Sequence, residues 1–252
     1  INHISCYNWY NHNIPLIMGK YNTISFDAAD TLFYIEKGLG GSYHEVLKNY
    51  NVSYSPKEIS LAFKKFFVNR KGLHFKGLSG KVLYLAEKEW WYGLVRDIFN
   101  ELGMFDNFDK YFDELYEYFS QEAWEVYTDT VPTLKKLKDD GFNILITSNF
   151  DSRIYGVCEK FEIDKFVDYF TISSESGFSK PDEELFYMSL KKVNANTNES
   201  IHVGDNYNLD YLPSSQIGMK SILIDRDNEF DKDIDICRSN NFSRIFEVIN
   251  EY

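Results

Sequence analysis

The sequence predicts an α/β protein: a three-layer, doubly wound parallel sheet interrupted by an all-helical insertion. Three observations predict it. Short apolar runs such as Phe142–Thr147 alternate with stretches of helical spacing, as expected of parallel strands covered on both faces. Four segments then end in polar groups: Asp27 after Ile24-Ser25-Phe26, Ser148 and Asn149 after Ile144-Leu145-Ile146-Thr147, Lys180 before Pro181-Asp182, and Asp205 after Ile201-His202-Val203-Gly204, with Asp210 close behind. In an open parallel sheet such ends converge on one crevice, the usual ligand site. Finally, from about Ser42 to Ala123 the strand pattern vanishes and only helical spacing remains.

Tyr21–Asp27, rich in β-branched and aromatic residues, reads as the first strand. The glycine-dense Glu36-Lys37-Gly38-Leu39-Gly40-Gly41 reads as a turn or hinge. Apolar sets at helical spacing follow: Leu61, Phe63, Phe66 and Phe67; then Trp91, Leu94, Val95, Ile98 and Phe99; then Phe108, Tyr111, Phe112, Leu115 and Phe119. Pro132 near a start and Gly141 past an end delimit the next helix, with Leu134 and Leu137 on one face. Further strands are expected at Phe166–Ser173, Ile201–Gly204 and Ser221–Ile224, with helices near Ser152–Phe161, Asp182–Val193 and Tyr211–Ile217. The expected organisation is an extension over 1–20 packed on the surface, a core of 21–38 and 124–252, and a helical cap over 39–123.

Composition narrows the function. With 44% hydrophobic and 17% aromatic residues the chain can bury a substantial core. A formal charge of -12 argues against a general nucleic-acid or anionic-membrane binder, and no apolar run reaches the length of a membrane span. Residues 1–20 offer only a short apolar patch at Ile14–Met18, a poor signal-peptide core. Cys6, Cys158 and Cys237 are odd in number and far apart, which is neither a disulfide framework nor a zinc cluster. The expected compartment is cytoplasmic.

Taken singly, Asp27, Asp205 and Asp210 read equally well as helix caps or turn residues. Gathered at one crevice they repel each other, and a hard cation such as Mg²⁺ among oxygen ligands makes sense of them. Lys180 either pairs with the acids of the helix it precedes or supplies a fixed positive charge to Asp27 and a phosphate. Ser148 and Asn149 either cap the following helix or donate to phosphate oxygens. Between Lys57 and Lys81 seven basic residues face only Glu58. That run reads as a solvated helix face, or as an attractor for an anionic substrate. In its glycine-containing loop, Arg70 and His74 are the candidates to approach substrate, His74 doubling as a replacement acid. Trp90, Trp91 and Phe99 read as packing inside the cap, and His3, His12, His44 and His202 take no role.

Asp27-Ala28-Ala29-Asp30-Thr31, Thr147-Ser148-Asn149, Lys180-Pro181-Asp182 and Gly204-Asp205 with Asp210 resemble the four ordered motifs of the haloacid-dehalogenase-like hydrolase superfamily. The helical insertion resembles that superfamily's first type of cap. Trp90-Trp91, Ser148-Asn149-Phe150-Asp151 and His202-Val203-Gly204-Asp205-Asn206-Tyr207 are further similar to its domain-containing protein 3 subgroup. The resemblance implies a nucleophile at Asp27. It also implies Mg²⁺ held by Asp27, the Ala29 carbonyl, Asp205 and Asp210, with phosphoryl contacts from Ser148 and Lys180. One departure stands out. Phosphatases of the superfamily carry a second aspartate where this chain has Ala29, and a positioned acid or base contributes about 10²–10⁴-fold. Asp30 is read as capping the local turn rather than replacing it. The expected activity is slow Mg²⁺-dependent hydrolysis of a small phosphorylated metabolite, under a cap that opens and closes. The alternatives are an impaired member that binds a phosphorylated ligand or a protein partner, or a phosphonatase- or dehalogenase-type hydrolase.

Overall fold

The computed structural model describes residues 19–230 and 234–251. Most of the expected extension over 1–20, with Cys6, His3 and His12, therefore lies outside the described residues.

A six-stranded sheet forms the frame. Its strands are β1 (Thr23–Phe26), β4 (Asn143–Ser148), β5 (Tyr169–Ile172), β6 (Ser200–Gly204), β7 (Lys220–Ile224) and β8 (Arg238–Ser239). They are all parallel, in the order β5-β4-β1-β6-β7-β8. Parallel strands demand crossovers, and helices lie in those that lead up to β7: α5 (Thr130–Asp139), α6 (Ile154–Lys160), the short α7 (Ser173–Ser176) with α8 (Glu183–Lys191), and α9 (Leu212–Gln216); α10 (Ser243–Asn250) follows the last strand. Ile24, Phe26, Ile144, Ile146, Ile201, Val203, Ile222 and Ile224 face one side and join the largest apolar cluster with Leu134, Leu137, Phe242 and Ile245. On the other side Leu145 packs against Phe186 and Leu190 of α8. Side-chain alternation thus gives each strand two buried faces, which explains its nearly continuous apolar sequence.

Register places the site. Phe26 of β1 lies opposite Ile146 of β4 and Val203 of β6. All three strands end within two residues of this row, so Asp27, Ser148 and Asp205 come together at one edge of the sheet.

The helical insertion springs from a second, two-stranded antiparallel sheet, β2 (Phe33–Ile35) against β3 (Trp124–Val126). Between them run α1 (Gly38–Leu47), α2 (Pro56–Val68), α3 (Gly80–Leu102) and α4 (Phe108–Tyr118), with their own apolar cluster built on Leu94, Ile98, Phe99, Tyr111 and Leu115. No strand lies between Ser42 and Ala123, as expected. α2 starts on a capping box, Ser55 with Glu58, and a proline at its first turn.

The glycine-dense segment is corrected. The turn is confined to Glu36 and Lys37; Gly38, at φ 64°, opens α1, and Leu39-Gly40-Gly41 lie in its first turns. A Cβ on Gly40 would lie 2.0 Å from the Pro56 carbonyl oxygen, so this glycine serves the close approach of α1 and α2. The expected helix at Tyr211–Ile217 shortens to α9, because a π turn over Tyr207–Tyr211 precedes it and carries Asp210. β2, β3, β8 and α10 were not foreseen.

Candidate active site

At the shared sheet edge, Asp27 is almost wholly buried and the Lys180 ammonium donates to its Oδ1. The same ammonium donates to Asp210 Oδ1 at 2.5 Å. Lys180 reaches this point from the loop before α8, whose N-cap is Asp182. Its backbone is gripped by Asn149: the Lys180 amide donates to Asn149 Oδ1 at 2.7 Å, and Asn149 Nδ2 donates to the Lys180 carbonyl at 2.9 Å.

Asp210 is further fixed by His202 Nε2 at 3.1 Å and by the Asn206 amide on Oδ2 at 3.1 Å. A Cβ on Gly204 would sit 2.4 Å from Asp210 Cγ, so the site is built around a glycine there. Asp205 is steadied by the Thr31 hydroxyl, which donates to Oδ1 at 3.2 Å. Thr31 is in turn anchored through its carbonyl by Arg226 Nη2 at 2.9 Å, while Arg226 Nη1 holds Asp129.

The electrostatics follow from burial and crowding. Burial lifts Asp27 above the ordinary carboxylate value, opposed by Lys180 and reinforced by Asp210, while a Ser148 hydrogen bond pulls it down. Burial also penalises Asp210, yet Lys180 and His202 outweigh it and draw it to about 2. Asp205 has no such partner: burial, Asp27 and Asp210 push it to about 8. Burial works against the Lys180 charge, but Asp210 and Asp27 overcome it and keep the ammonium charged. His202 is held neutral by burial. A carboxylate only accepts, so His202 Nε2 carries the proton and its Nδ1 accepts from the Ser25 hydroxyl at 3.1 Å.

Oxygens of Asp27, Asp205 and Asp210 all lie within 4.8 Å of one another. Three carboxylates against one ammonium, with Asp205 driven toward its protonated form, fit a hard divalent cation bound through oxygen. The Ala29–Phe33 bridge uses the Ala28 carbonyl and the Asp30 amide, leaving the Ala29 carbonyl out of it. Beside this cluster, between sheet edge and cap, lies a cavity of about 310 Å³ that meets the site at Ala29, Asn149 and Lys180, with Arg70, Trp90, Trp91 and Phe150 also in its wall.

Residues 21–218 match the family described as a hydrolase, haloacid dehalogenase-like hydrolase. The chain belongs to that family. It is 29% identical over 206 residues to Haloacid dehalogenase-like hydrolase domain-containing protein 3 of Danio rerio, covering 81% of this chain and 84% of that protein. A Ribulose-1,5-bisphosphate 5-phosphatase of Halopiger xanaduensis is 28% identical over 111 residues, 44% of this chain and 46% of that protein. The fold matches the magnesium-bound crystal structure of the HAD-hydrolase YfnB from Bacillus subtilis, with a TM-score of 0.68, 14% identity, and coverage of 91% and 99% of the two chains.

In this hydrolase the structure brings Asp27, Ser148, Lys180, Asp205 and Asp210 together. Several other expectations are revised. Asn149 lines the cavity but spends its amide oxygen and one amide hydrogen on the Lys180 backbone, so it also positions the lysine. Arg70 does reach the cavity wall, but Asp97 at 2.9 Å and the Trp90 ring at 5.2 Å hold it. His74 is exposed, against Gly72, and is absent from the cavity wall. Asp30 is exposed at φ 60°; the local turn is made by its left-handed backbone, which aspartate tolerates, rather than by a side-chain cap. Trp91 does more than pack inside the cap: its Nε1 donates to Asp151 Oδ2 at 2.6 Å, across to the core. Beside it, fully buried Glu87 of α3 accepts from the Ser152 amide at 3.1 Å.

His202, Thr31, Glu87 and the Asp151–Arg153 pair escaped the sequence reading. A histidine inside an otherwise aliphatic parallel strand was the one available signal. A buried imidazole needs partners, and the register supplies Ser25 opposite it.

Proposed function

We propose that this hydrolase is a Mg²⁺-dependent phosphatase that cleaves a small phosphomonoester through an aspartyl-phosphate on Asp27. One observation carries the reading: a buried carboxylate touched by Lys180 and Ser148, with two further carboxylates within 4.8 Å. The relative named as a bisphosphate phosphatase supports phosphoryl transfer over dehalogenation.

Asp27, Asp205 and Asp210, with the Ala29 carbonyl, would hold Mg²⁺, which supplies charge that offsets that of the transferring phosphoryl group. The chain's own residues do the rest. Asp27 presents a carboxylate oxygen as nucleophile, and Lys180 opposes the burial that favours its protonated form. The Lys180 ammonium also faces the incoming phosphate, and the Ser148 hydroxyl donates to it. Asn149 and His202 act one step back, fixing Lys180 and Asp210. Ala29 offers no proton to the leaving oxygen, so turnover of poor leaving groups is slow. The free thiols of Cys158 and Cys237 agree with a cytoplasmic setting.

The test is p-nitrophenyl phosphate hydrolysis, with and without Mg²⁺, in the wild type, Asp27→Asn and Ala29→Asp. Asp27→Asn abolishes turnover. Ala29→Asp preserves it on this activated ester and raises it on alkyl phosphates by about 10²-fold or more. Turnover that survives Asp27→Asn sinks the mechanism.

A second reading draws on Lys71, which borders the same cavity as Ala29. Phosphonate-cleaving relatives pair alanine at that position with a cap lysine that condenses with a substrate carbonyl. Borohydride trapping of a carbonyl phosphonate on Lys71 would favour it; no trapping leaves the phosphatase reading alone.

A further inference from the structure

We infer that the leaving group accepted here is aromatic: the substrate is the phosphate monoester of a phenol, its ring seated between core and cap. The inference rests on the phosphatase reading and adds the substrate class to it.

The cavity that reaches Ala29 and Lys180, the neighbours of Asp27, is walled by rings. Phe67, Trp90 and Trp91 come from the cap side, and Trp124 and Phe150 from the core side. Phe67 lies face to face with Trp91 at 6.4 Å, and Trp90 stands edge-on to Trp91 at 4.9 Å. Such walls favour a flat apolar guest through stacked and edge contacts. Two of the cations in the wall are already spent. Arg153 places Nε and Nη2 on Asp151 at 2.9 and 2.6 Å and lies between the rings of Trp91 and Tyr116, while Arg70 is held by Asp97. Of the other cations in the wall Lys180 is committed to Asp27 and Asp210, which leaves Lys71, so a polyhydroxylated or doubly charged leaving group would bring more polar atoms than this mainly aromatic wall can pair.

Independently, the chemistry excludes alkyl esters and admits aryl ones. Ala29 stands beside the leaving oxygen without a proton to give, and Asp151 is engaged by Arg153 and Trp91. An alkoxide cannot depart unaided, whereas a phenol, with a pKa of about 10, departs as its anion. A carboxylate oxygen of Asp27 bonds to phosphorus as the P–O(aryl) bond breaks, and the electron pair stays on the phenolate. Water then attacks phosphorus and the P–O(Asp27) bond breaks, restoring the carboxylate. The proton that water loses is accounted for by protonation of the phenolate, so ester and water become phenol and inorganic phosphate.

The experiment compares kcat/KM for 1-naphthyl, phenyl, acetyl and glycerol 2-phosphates in wild type and Trp90→Leu. It adds calorimetric binding of naphthyl and phenyl phosphates to Asp27→Asn. Naphthyl and phenyl esters have leaving groups of similar acidity, so a larger ring gaining at least about tenfold in both kcat/KM and affinity reports the cavity. Trp90→Leu lowers the ratio of naphthyl to acetyl turnover by about tenfold. Asp27-dependent cleavage of acetyl phosphate with no gain from the larger ring overturns the substrate class and spares the phosphatase reading. No Asp27-dependent release from any ester overturns both.

Discussion

Lys180→Met isolates the charge balance on which the site depends. Methionine keeps the length and apolar stem and removes only the ammonium. The Lys180 side chain is 2% exposed, and the Asp27 and Asp210 side chains it bridges are 9% and 2% exposed. Removing one partner of a buried ion pair costs about 3–5 kcal/mol, and proton uptake by the stranded carboxylates limits it to that range. For a chain of this size each kcal/mol moves Tm by about 2–4 °C, so a fall of about 6–20 °C is expected in EDTA. The pH dependence has a definite sign. In the wild type Asp210 sits at about 2, below its ordinary 3.8, so its ionisation stabilises the fold above 3.8 and that gain is lost as pH falls toward 2. In the variant only His202 and the Asn206 amide still oppose burial, so Asp210 moves up from its wild-type position and its ionisation stabilises the fold less as pH rises. The gap between the two proteins therefore widens from pH 3 to pH 8, and saturating Mg²⁺ narrows it. Thermal unfolding by circular dichroism at these pH values, in EDTA and in Mg²⁺, reads all three. A Tm within about 2 °C of wild type at pH 7 in EDTA, or a gap that closes with rising pH, would refute the reasoning.

Gly204→Ala drives a Cβ into Asp210 Cγ at 2.4 Å, so Asp210 must leave Lys180 and His202. Calorimetric Mg²⁺ affinity falls at least about tenfold, the loss usual for disturbing the shell behind a ligand. Asp205, at about 8 against its ordinary 3.8, binds its proton more tightly folded than unfolded. In EDTA, stability measured by urea unfolding therefore declines as pH climbs from 4 to 8, and Asp205→Asn flattens that decline. Trp91→Phe removes a charge-assisted bond to buried Asp151 and costs about 1.5–3 kcal/mol in the same assay. No loss there means that the cap is held elsewhere.

What could be read from the sequence was whatever strand order converts into position. Asp27, Ser148 and Asp205 end strands that the register aligns, so a pattern of apolar run plus polar tip located them without any contact being known. Lys180 and Asp210 came with them because their loops leave the same edge. The reading failed where a side chain has competing partners. Nothing in Ser148-Asn149 tells that the amide will choose the Lys180 backbone over a ligand, and nothing around Arg70 names Asp97, 27 residues away, as its holder. His202 meets Ser25 across 177 residues, which only the pairing of β1 with β6 brings about. β2 and β3 are three residues each, too short for a two-residue period to declare itself. The glycines of α1 were misread because close helix contact and a tight turn call for the same residue.

The two faces of the sheet explain how the carboxylates can be held ready without the missing acid. One face is aliphatic. The other carries a polar row, in which Ser25 meets Thr147 at 2.8 Å, Thr147 meets Ser189 at 2.7 Å, and Ser25 meets His202, which holds Asp210. Buried hydroxyls are costly unless paired, and here each of these finds a partner. The row therefore leaves His202 one orientation and Asp210 one position, and through Asp210 it fixes the Lys180 ammonium against Asp27. Donors and charges set in advance of the reaction need no reorganisation during it, which is the largest catalytic contribution open to a site lacking its proton donor. The cap side is different in kind, an aromatic cavity tied to the core by Trp91 and Glu87. Phosphoryl chemistry is thus assigned to the rigid polar edge of the sheet, and the choice of leaving group to the rings above it.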